Sequence, residues 1–265
     1  MANFPATLLN FLRQAGRVAA LTGAGVSQES GLRTFRDAHP STGSGQRSGL
    51  WAQYRPEDLA SPEAFARAPK LVWDWYAMRR EKVRAVEPNP GHFALAEMGH
   101  RVPRFTLITQ NVDGLHRKAF QTLKVSETFR VWKESPIIEL HGNIQRVRCS
   151  ECGMVADAWE ENDDVPRCAG CGGMLRPDVV WFGEPLPRSA LEAAVEAARG
   201  CQVFLSIGTS GLVQPAAALA FAAHNKGAVI VEVNLEPTPL TEKADFFLQG
   251  KSGEVLPELV KAAWG

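Results

Sequence analysis

The stretch VAALTGAGVS, residues 18–27, decides the architecture. Its first five residues suit a buried strand, and they run straight into Gly23-Ala24-Gly25 ahead of a segment with helical character. Strand, glycine turn and helix in succession open a βαβ unit. In that setting backbone N–H groups can cradle a pyrophosphate. The strict dinucleotide fingerprint places another glycine at position 28, where this chain has Gln28. Taken alone, the fragment therefore fits either a cofactor cradle or a structural turn.

Outward from it the same alternation recurs. Residues 105–109, 203–207 and 229–234 read as strands, with weaker candidates at 137–140 and 246–248, and stretches rich in Ala, Leu, Arg and Glu lie between them. This pattern predicts an α/β fold in which helices cover both faces of a parallel sheet. Ligands in such sheets bind outside the carboxyl ends of the strands, so the turns after the strands are where chemistry is expected.

The chain has 265 residues, 45% of them hydrophobic, which is enough to bury a sizeable core and argues against disorder or a coiled coil. Lys and Arg number 29, as do Asp and Glu, so no global field favours nucleic acid or an anionic membrane. The most apolar stretch, residues 212–223, is too short to span a bilayer and contains Gln214 and Pro215. Near the N-terminus, Phe4, Leu8, Leu9, Phe11 and Leu12 have helical spacing, and Arg13 and Arg17 interrupt any signal-peptide core. A cytoplasmic location is expected.

Two regions break the alternation. Residues 38–50 are rich in Gly and Ser and lead into a helical stretch punctuated by prolines, and residues 144–180 carry four of the five cysteines. The expected division is a Rossmann-like domain built from 1–37, 101–143 and 181–265, an inserted helical module at 38–100 and a zinc-ribbon module at 144–180. The two insertions together would form a smaller lobe. Cys149 and Cys152 are separated by two residues, Cys168 and Cys171 likewise, with fifteen residues between the pairs. Each pair can present two thiolates on a tight knuckle, aided by Gly153, Gly172 and Gly173, and four thiolates close the tetrahedral shell of Zn²⁺. One structural zinc is expected; the alternative is two disulfides, which an absent signal peptide disfavours. Cys201 reads as a small buried apolar residue.

The run GAGVSQESGLRTFRD (residues 23–37) is followed by TQNVD (109–113), His141-Gly142, VWFGE (180–184), Gly208-Thr209-Ser210 and NLEP (234–237). In content and order this set resembles the sirtuins, over nearly the whole chain, with the four cysteines where sirtuins carry a zinc module. Tyr76-Ala77-Met78-Arg79 is similar to the branch that includes bacterial deacylases and the mitochondrial desuccinylase.

The resemblance implies an NAD⁺-dependent protein-lysine deacylase that consumes NAD⁺ and releases nicotinamide, an O-acyl-ADP-ribose and free lysine. Gly23, Ala24 and Gly25 would approach the pyrophosphate, and Phe35 and Arg36 would belong to a mobile cofactor loop. Gln110, Asn111 and Asp113 would surround the ribose and nicotinamide. Gly208, Thr209, Ser210, Asn234, Leu235 and Glu236 would hold the adenosine half, with Ser252 a further contact. Val180, Trp181, Phe182 and Gly183 would supply an extended edge for the substrate peptide. His141 would be the catalytic base, with Asn111 and Asp113 beside it. An imidazole titrates near neutrality, so it can take a proton from a ribose hydroxyl once the nicotinamide bond is broken.

Tyr76 and Arg79, three apart on a helix, would converge on the carboxylate of a succinyl or malonyl group, with the small Ala60 leaving room for the longer chain. A solvated helix face is the alternative reading of that pair, since Arg80, Glu81, Lys82 and Arg84 follow. Mono-ADP-ribosyl transfer and a non-enzymatic NAD-binding module are the other functions this residue set could serve. Three departures from the family pattern stand out: the long connection at 117–140, Arg33, and Asp178 where close relatives often have His.

Overall fold

The computed structural model describes residues 4–32, 56–124, 137–160 and 163–265. Arg33, Phe35, Arg36, the Gly/Ser-rich loop and the middle of the long connection lie outside them. In chain order come α1 (Ala6–Gln14), β1 (Arg17–Thr22), α2 (Ala24–Gln28), α3 (Pro56–Leu59), α4 (Pro62–Arg67), α5 (Pro69–Arg84), α6 (Pro90–Arg101), β2 (Arg104–Thr109) and α7 (Leu115–Lys124). There follow β3 (Ile137–Glu139), β4 (Gly142–Cys149), β5 (Val155–Ala156), β6 (Leu175–Val179), α8 (Arg188–Gly200), β7 (Val203–Ile207), α9 (Ala218–His224), β8 (Val229–Asn234), β9 (Phe246–Gln249) and α10 (Ser252–Trp264).

The larger sheet is six-stranded, in the order β3-β2-β1-β7-β8-β9, and every pairing in it is parallel. This is the doubly wound order of dinucleotide-binding sheets, with the reversal of winding between β1 and β7. Burial on both faces explains why the strands read as continuous apolar runs: after the exposed Arg17, every residue of β1 is buried. Val18 and Ala20 point into a core shared with α1, α6, α7 and α10, whereas Ala19 and Leu21 point into a second core against α8 and α9. Asn89 caps α6 through its side chain and also donates to the Val26 carbonyl (2.7 Å), tying that helix to the turn after β1.

A third core joins α3, α4 and α5 to the small sheet, whose order is β5-β4-β6 and whose pairings are antiparallel. Phe65, Val72, Trp73, Trp75 and Tyr76 meet Ile144, Val147, Leu175, Val179 and Trp181 there. The helical segment and the cysteine-bearing segment thus pack as one lobe. The expected helical module at 38–100 needs correction at its end. Ala94, Leu95 and Met98 of α6 lie in the core of the large sheet, so that helix goes with the sheet and not with the lobe.

Candidate active site

The turns after β1 and β7 meet at the point where the winding reverses. Gly25 N–H donates to the Gly208 carbonyl (2.9 Å) and Gly23 N–H to the Ile207 carbonyl (3.0 Å). A Cβ on Gly25 would stand 2.8 Å from that carbonyl oxygen, and one on Gly208, at φ +57°, would stand 2.7 Å from Val26 N. Glycine is required at both positions because two backbones touch. These two N–H groups are therefore spent on joining the turns.

Over these joined turns the turn after β2 places a chain of polar side chains. Asn111 Nδ2 donates to the Gly23 carbonyl (2.9 Å) and to Ser27 Oγ (2.9 Å), and Ser27 Oγ–H donates to Asp113 Oδ2 (2.6 Å). Asp113 Oδ1 accepts from Leu115 N–H at the start of α7 (2.9 Å). Burial pushes the Asp113 carboxyl above its ordinary value, against the pull of Ser27 and Leu115. Gln110 Nε2 reaches Thr209 Oγ1 (3.1 Å), linking the turns after β2 and β7, and Asn234 Nδ2 donates to the Thr209 carbonyl (2.9 Å), linking β8 to them. Ser210 is half-buried beside them, and Leu235 and Glu236 are exposed at the end of β8.

His141 follows β3, and its Nδ1 lies 2.9 Å from the Gln110 carbonyl oxygen. A carbonyl only accepts, so Nδ1 carries the proton and Nε2 of the neutral ring keeps its lone pair. Burial pulls the imidazole below its ordinary value, opposed by the bond to Gln110, so the ring is neutral at physiological pH. The structure thus brings Gly23, Ala24, Gly25, Gln110, Asn111, Asp113, His141, Gly208, Thr209 and Asn234 to one crevice. Ser27 was not singled out from sequence, although it sits inside the glycine motif. Its pairing with Asp113 depends on β1 lying beside β2, which no local pattern announces.

Ser252 is buried and donates to Glu29 Oε1 (2.5 Å), while Gly253 N–H donates to both oxygens of the same carboxylate. One expectation is corrected. Residues 180–183 are not an extended edge. Val180 N–H donates to the His141 carbonyl (2.9 Å), Trp181 N–H to Glu184 Oε2 (2.8 Å) and Phe182 N–H to the Ala60 carbonyl (3.0 Å). The segment turns at Phe182 and Gly183, where φ is +86°, because Glu184 folds back to cap it. Phe182 is left about half exposed at the mouth.

That turn lands on α5. Trp181 Nε1–H donates to Tyr76 Oη (3.0 Å), the Arg176 guanidinium lies over the Trp181 ring, and Arg176 forms a bidentate pair with Glu184. Tyr76 is buried, and burial pushes its phenol up to about 12, so it stays protonated. Since its oxygen accepts from Trp181, its own O–H is left to donate elsewhere. Arg79, one turn on, lies over the Trp75 ring at 4.7 Å and is half-buried, unlike the exposed Glu81, Lys82 and Arg84. A solvated helix face does not describe this pair. Ala60, 3% exposed, meets the same cluster through Phe182.

At the far end of the lobe the sulfurs of Cys149, Cys152, Cys168 and Cys171 all lie within 4.8 Å of one another. Four thiolates on one zinc, at about 2.3 Å each, stand roughly 3.8 Å apart. Cys149–Cys171 at 3.4 Å and Cys152–Cys168 at 3.8 Å fit that cage, and none of the four forms a disulfide. With all four positions filled by sulfur the metal has no place for a reactant.

A doubly wound sheet with a polar crevice at its switch point, and a four-thiolate lobe set apart from it, defines a nucleotide-using α/β enzyme with a structural metal. Residues 23–215 match the family model described as Sir2 family. An NAD-dependent protein deacylase 2 of Pyrobaculum aerophilum is 48% identical over 253 residues, spanning 95% of this chain and 93% of that protein. An NAD-dependent protein deacylase 1 of Pseudomonas aeruginosa is 43% identical, spanning 97% of this chain and 98% of that one. Among solved structures, a Sir2 homologue in complex with NAD superimposes with a TM-score of 0.83 at 42% identity, over 99% of this chain and 94% of the other. A Sir2 protein bound to an acetylated peptide superimposes with a TM-score of 0.77 at 26% identity, over 97% of each chain. The chain belongs to the Sir2 family.

Proposed function

We propose that the protein is an NAD⁺-dependent protein-lysine deacylase that takes succinyl and malonyl groups as well as acetyl. NAD⁺, bound across the crevice, supplies the ribose to which the acyl group moves. The observation that carries the reading is the state of His141: neutral, with Nδ1 held by a carbonyl and Nε2 available as a base beside Gln110, Asn111 and Asp113. A base of this kind takes the ribose hydroxyl proton, and the oxygen then attacks the acyl carbon. Asn111, fixed by Gly23 and Ser27, and Asp113, fixed by Ser27 and Leu115, are rigid before any ligand arrives, and preorganised dipoles cost no rearrangement during reaction.

Tyr76 and Arg79 support the acidic-acyl reading. A neutral phenol donor and a guanidinium one helical turn apart suit a carboxylate at the end of an acyl chain. Acyl-lysine side chains of proteins are the substrates, and free cysteines fit a reducing, cytoplasmic setting.

The test is incubation with NAD⁺ and matched acetyl-, malonyl-, succinyl- and glutaryl-lysine peptides, read by mass spectrometry. O-acyl-ADP-ribose and free lysine are expected, with succinyl turnover at least comparable to acetyl. ADP-ribosylated protein without O-acyl-ADP-ribose would replace this reading with ADP-ribosyl transfer. Acetyl turnover without succinyl turnover would remove the acidic-acyl part alone.

A further inference from the structure

Between the two sheets, immediately beside His141, one arginine bridges two nearly buried carboxylates. Arg146 Nη1 donates to Glu139 Oε2 (2.8 Å), and its Nε and Nη2 each lie 2.9 Å from Asp178 Oδ2. Glu139 ends β3 in the large sheet and Asp178 lies in β6 of the small one, with side chains only 8% and 10% exposed. Arg117 of α7 reaches Glu139 (3.2 Å) and Arg148 reaches Asp178 (3.1 Å), so the bridge is the centre of a five-member network.

The network encloses the chain segment that carries the base. Glu139 lies two residues before His141, and Asn143, two residues after it, donates to Glu139 Oε1 (2.8 Å). Gly142 has φ +81°, and a Cβ there would stand 2.1 Å from the Asp178 carbonyl oxygen, so the backbone following His141 is pressed onto β6. The register of β4 against β6 shifts between Asn143 and Val147, and that irregularity carries Arg146. His141 sits on the only covalent step from β3 to β4, and the ionic bridge spans the same step through space.

We infer that Arg146 is a positioning residue for the reaction: by holding Glu139 and Asp178 together it sets the angle between the sheets at the His141 step, and so the placement of Nε2 in the crevice. The inference rests on His141 being the base. Without Arg146 each carboxylate keeps only its outer cation, Arg117 or Arg148, and no cation is left between the two, so nothing ionic holds the step together. An error of about 1 Å in a reacting group costs up to about 10²-fold in rate. Nicotinamide cleavage precedes the step that needs the base, so it does not depend on this placement.

The experiment compares Arg146→Met with the wild-type holoenzyme. The cavity beside Arg146, about 830 Å³, is open and lined by Arg84, Arg117, Gln145 and Arg148, so the truncation opens no void in a core. The expected result is a fall of about tenfold or more in kcat for deacylation. Exchange of labelled nicotinamide into NAD⁺, the KM for NAD⁺ and the bound zinc should stay near wild type. Unchanged kcat, or exchange and deacylation falling in parallel, overturns the inference. If Arg146→Met does not fold, Asp178→Asn, which keeps the shape and removes one charge, is held to the same outcomes. Retained turnover in His141→Ala would overturn the functional reading itself, whereas an inactive His141→Ala beside a fully active Arg146→Met overturns only the bridge.

Discussion

In the proposed acidic-acyl reading, Tyr76 and Arg79 would meet the acyl group from one helix turn, and their environments would give them different tasks. The phenol is fixed by Trp181 and kept protonated by burial, so it would supply one neutral hydrogen bond. Arg79 would supply the charge. A hydrogen bond to a charged group is worth roughly 1.5 to 3 kcal/mol, so Arg79→Met should lower kcat/KM for a succinyl peptide by about 10- to 10²-fold. Deacetylation should change far less, because an acetyl group offers nothing for the guanidinium to bind. Steady-state rates on matched peptides check this, and an equal fall in both activities would show that Arg79 serves the fold. Tyr76→Phe leaves the Trp181 indole N–H without its acceptor, so its effect combines lost substrate binding with a loosened 180–183 turn.

At the scale of elements, the small sheet depends on its knuckles. β5 has two residues and β6 includes Pro177, so neither is self-sufficient, and the four sulfurs bind the ends of β4 and β6 together. Cys149→Ala, or removal of the metal by a chelator, should loosen the lobe and lower thermal stability and activity together. Metal analysis alongside a thermal melt tests this; a metal-free protein with an unchanged melting temperature would contradict it. The same elements show what sequence can reveal. The parallel strands were legible because burial on both faces writes an uninterrupted apolar run, as in β1 and β7. β6 was not, since Pro177 argues against a strand and is tolerated only because β6 lies at an edge. The crevice residues could be read from their motifs, but the partners that fix them could not. Ser27 and Asp113 are 86 positions apart, and Ser252 and Glu29 are 223 apart. The resemblance implied that residues 180–183 are extended, and the reach of Glu184 back to Trp181 makes them a turn.

For the whole molecule, two histidines packed between α6 and α7 make stability fall on the acid side. His92 and His116 are buried with ring centroids 4.6 Å apart. Burial lowers His92 to about 4, and burial together with the charge of His92 lowers His116 well below its ordinary value. Unfolded, both titrate near pH 6.5, so below that the unfolded chain takes up protons that the folded chain refuses. Their contribution is complete above pH 6.5 and is lost as pH falls toward 4, by about 1.4 kcal/mol per unit for each ring. Asp113, with its carboxyl raised, offsets part of this just above the ordinary carboxylate range. Urea unfolding between pH 7.5 and 5 should show midpoints falling with pH, and a flat profile would contradict the burial of neutral rings. The centre of the functional reading is the proton taken by His141, and the most direct measurement is His141→Ala compared with wild type in NAD⁺ binding and in O-acyl-ADP-ribose formation. Binding is expected to persist, because the contacts of the crevice floor do not involve the imidazole, while product formation falls by about 10²- to 10⁴-fold. Product formation near the wild-type rate would show that the base lies elsewhere.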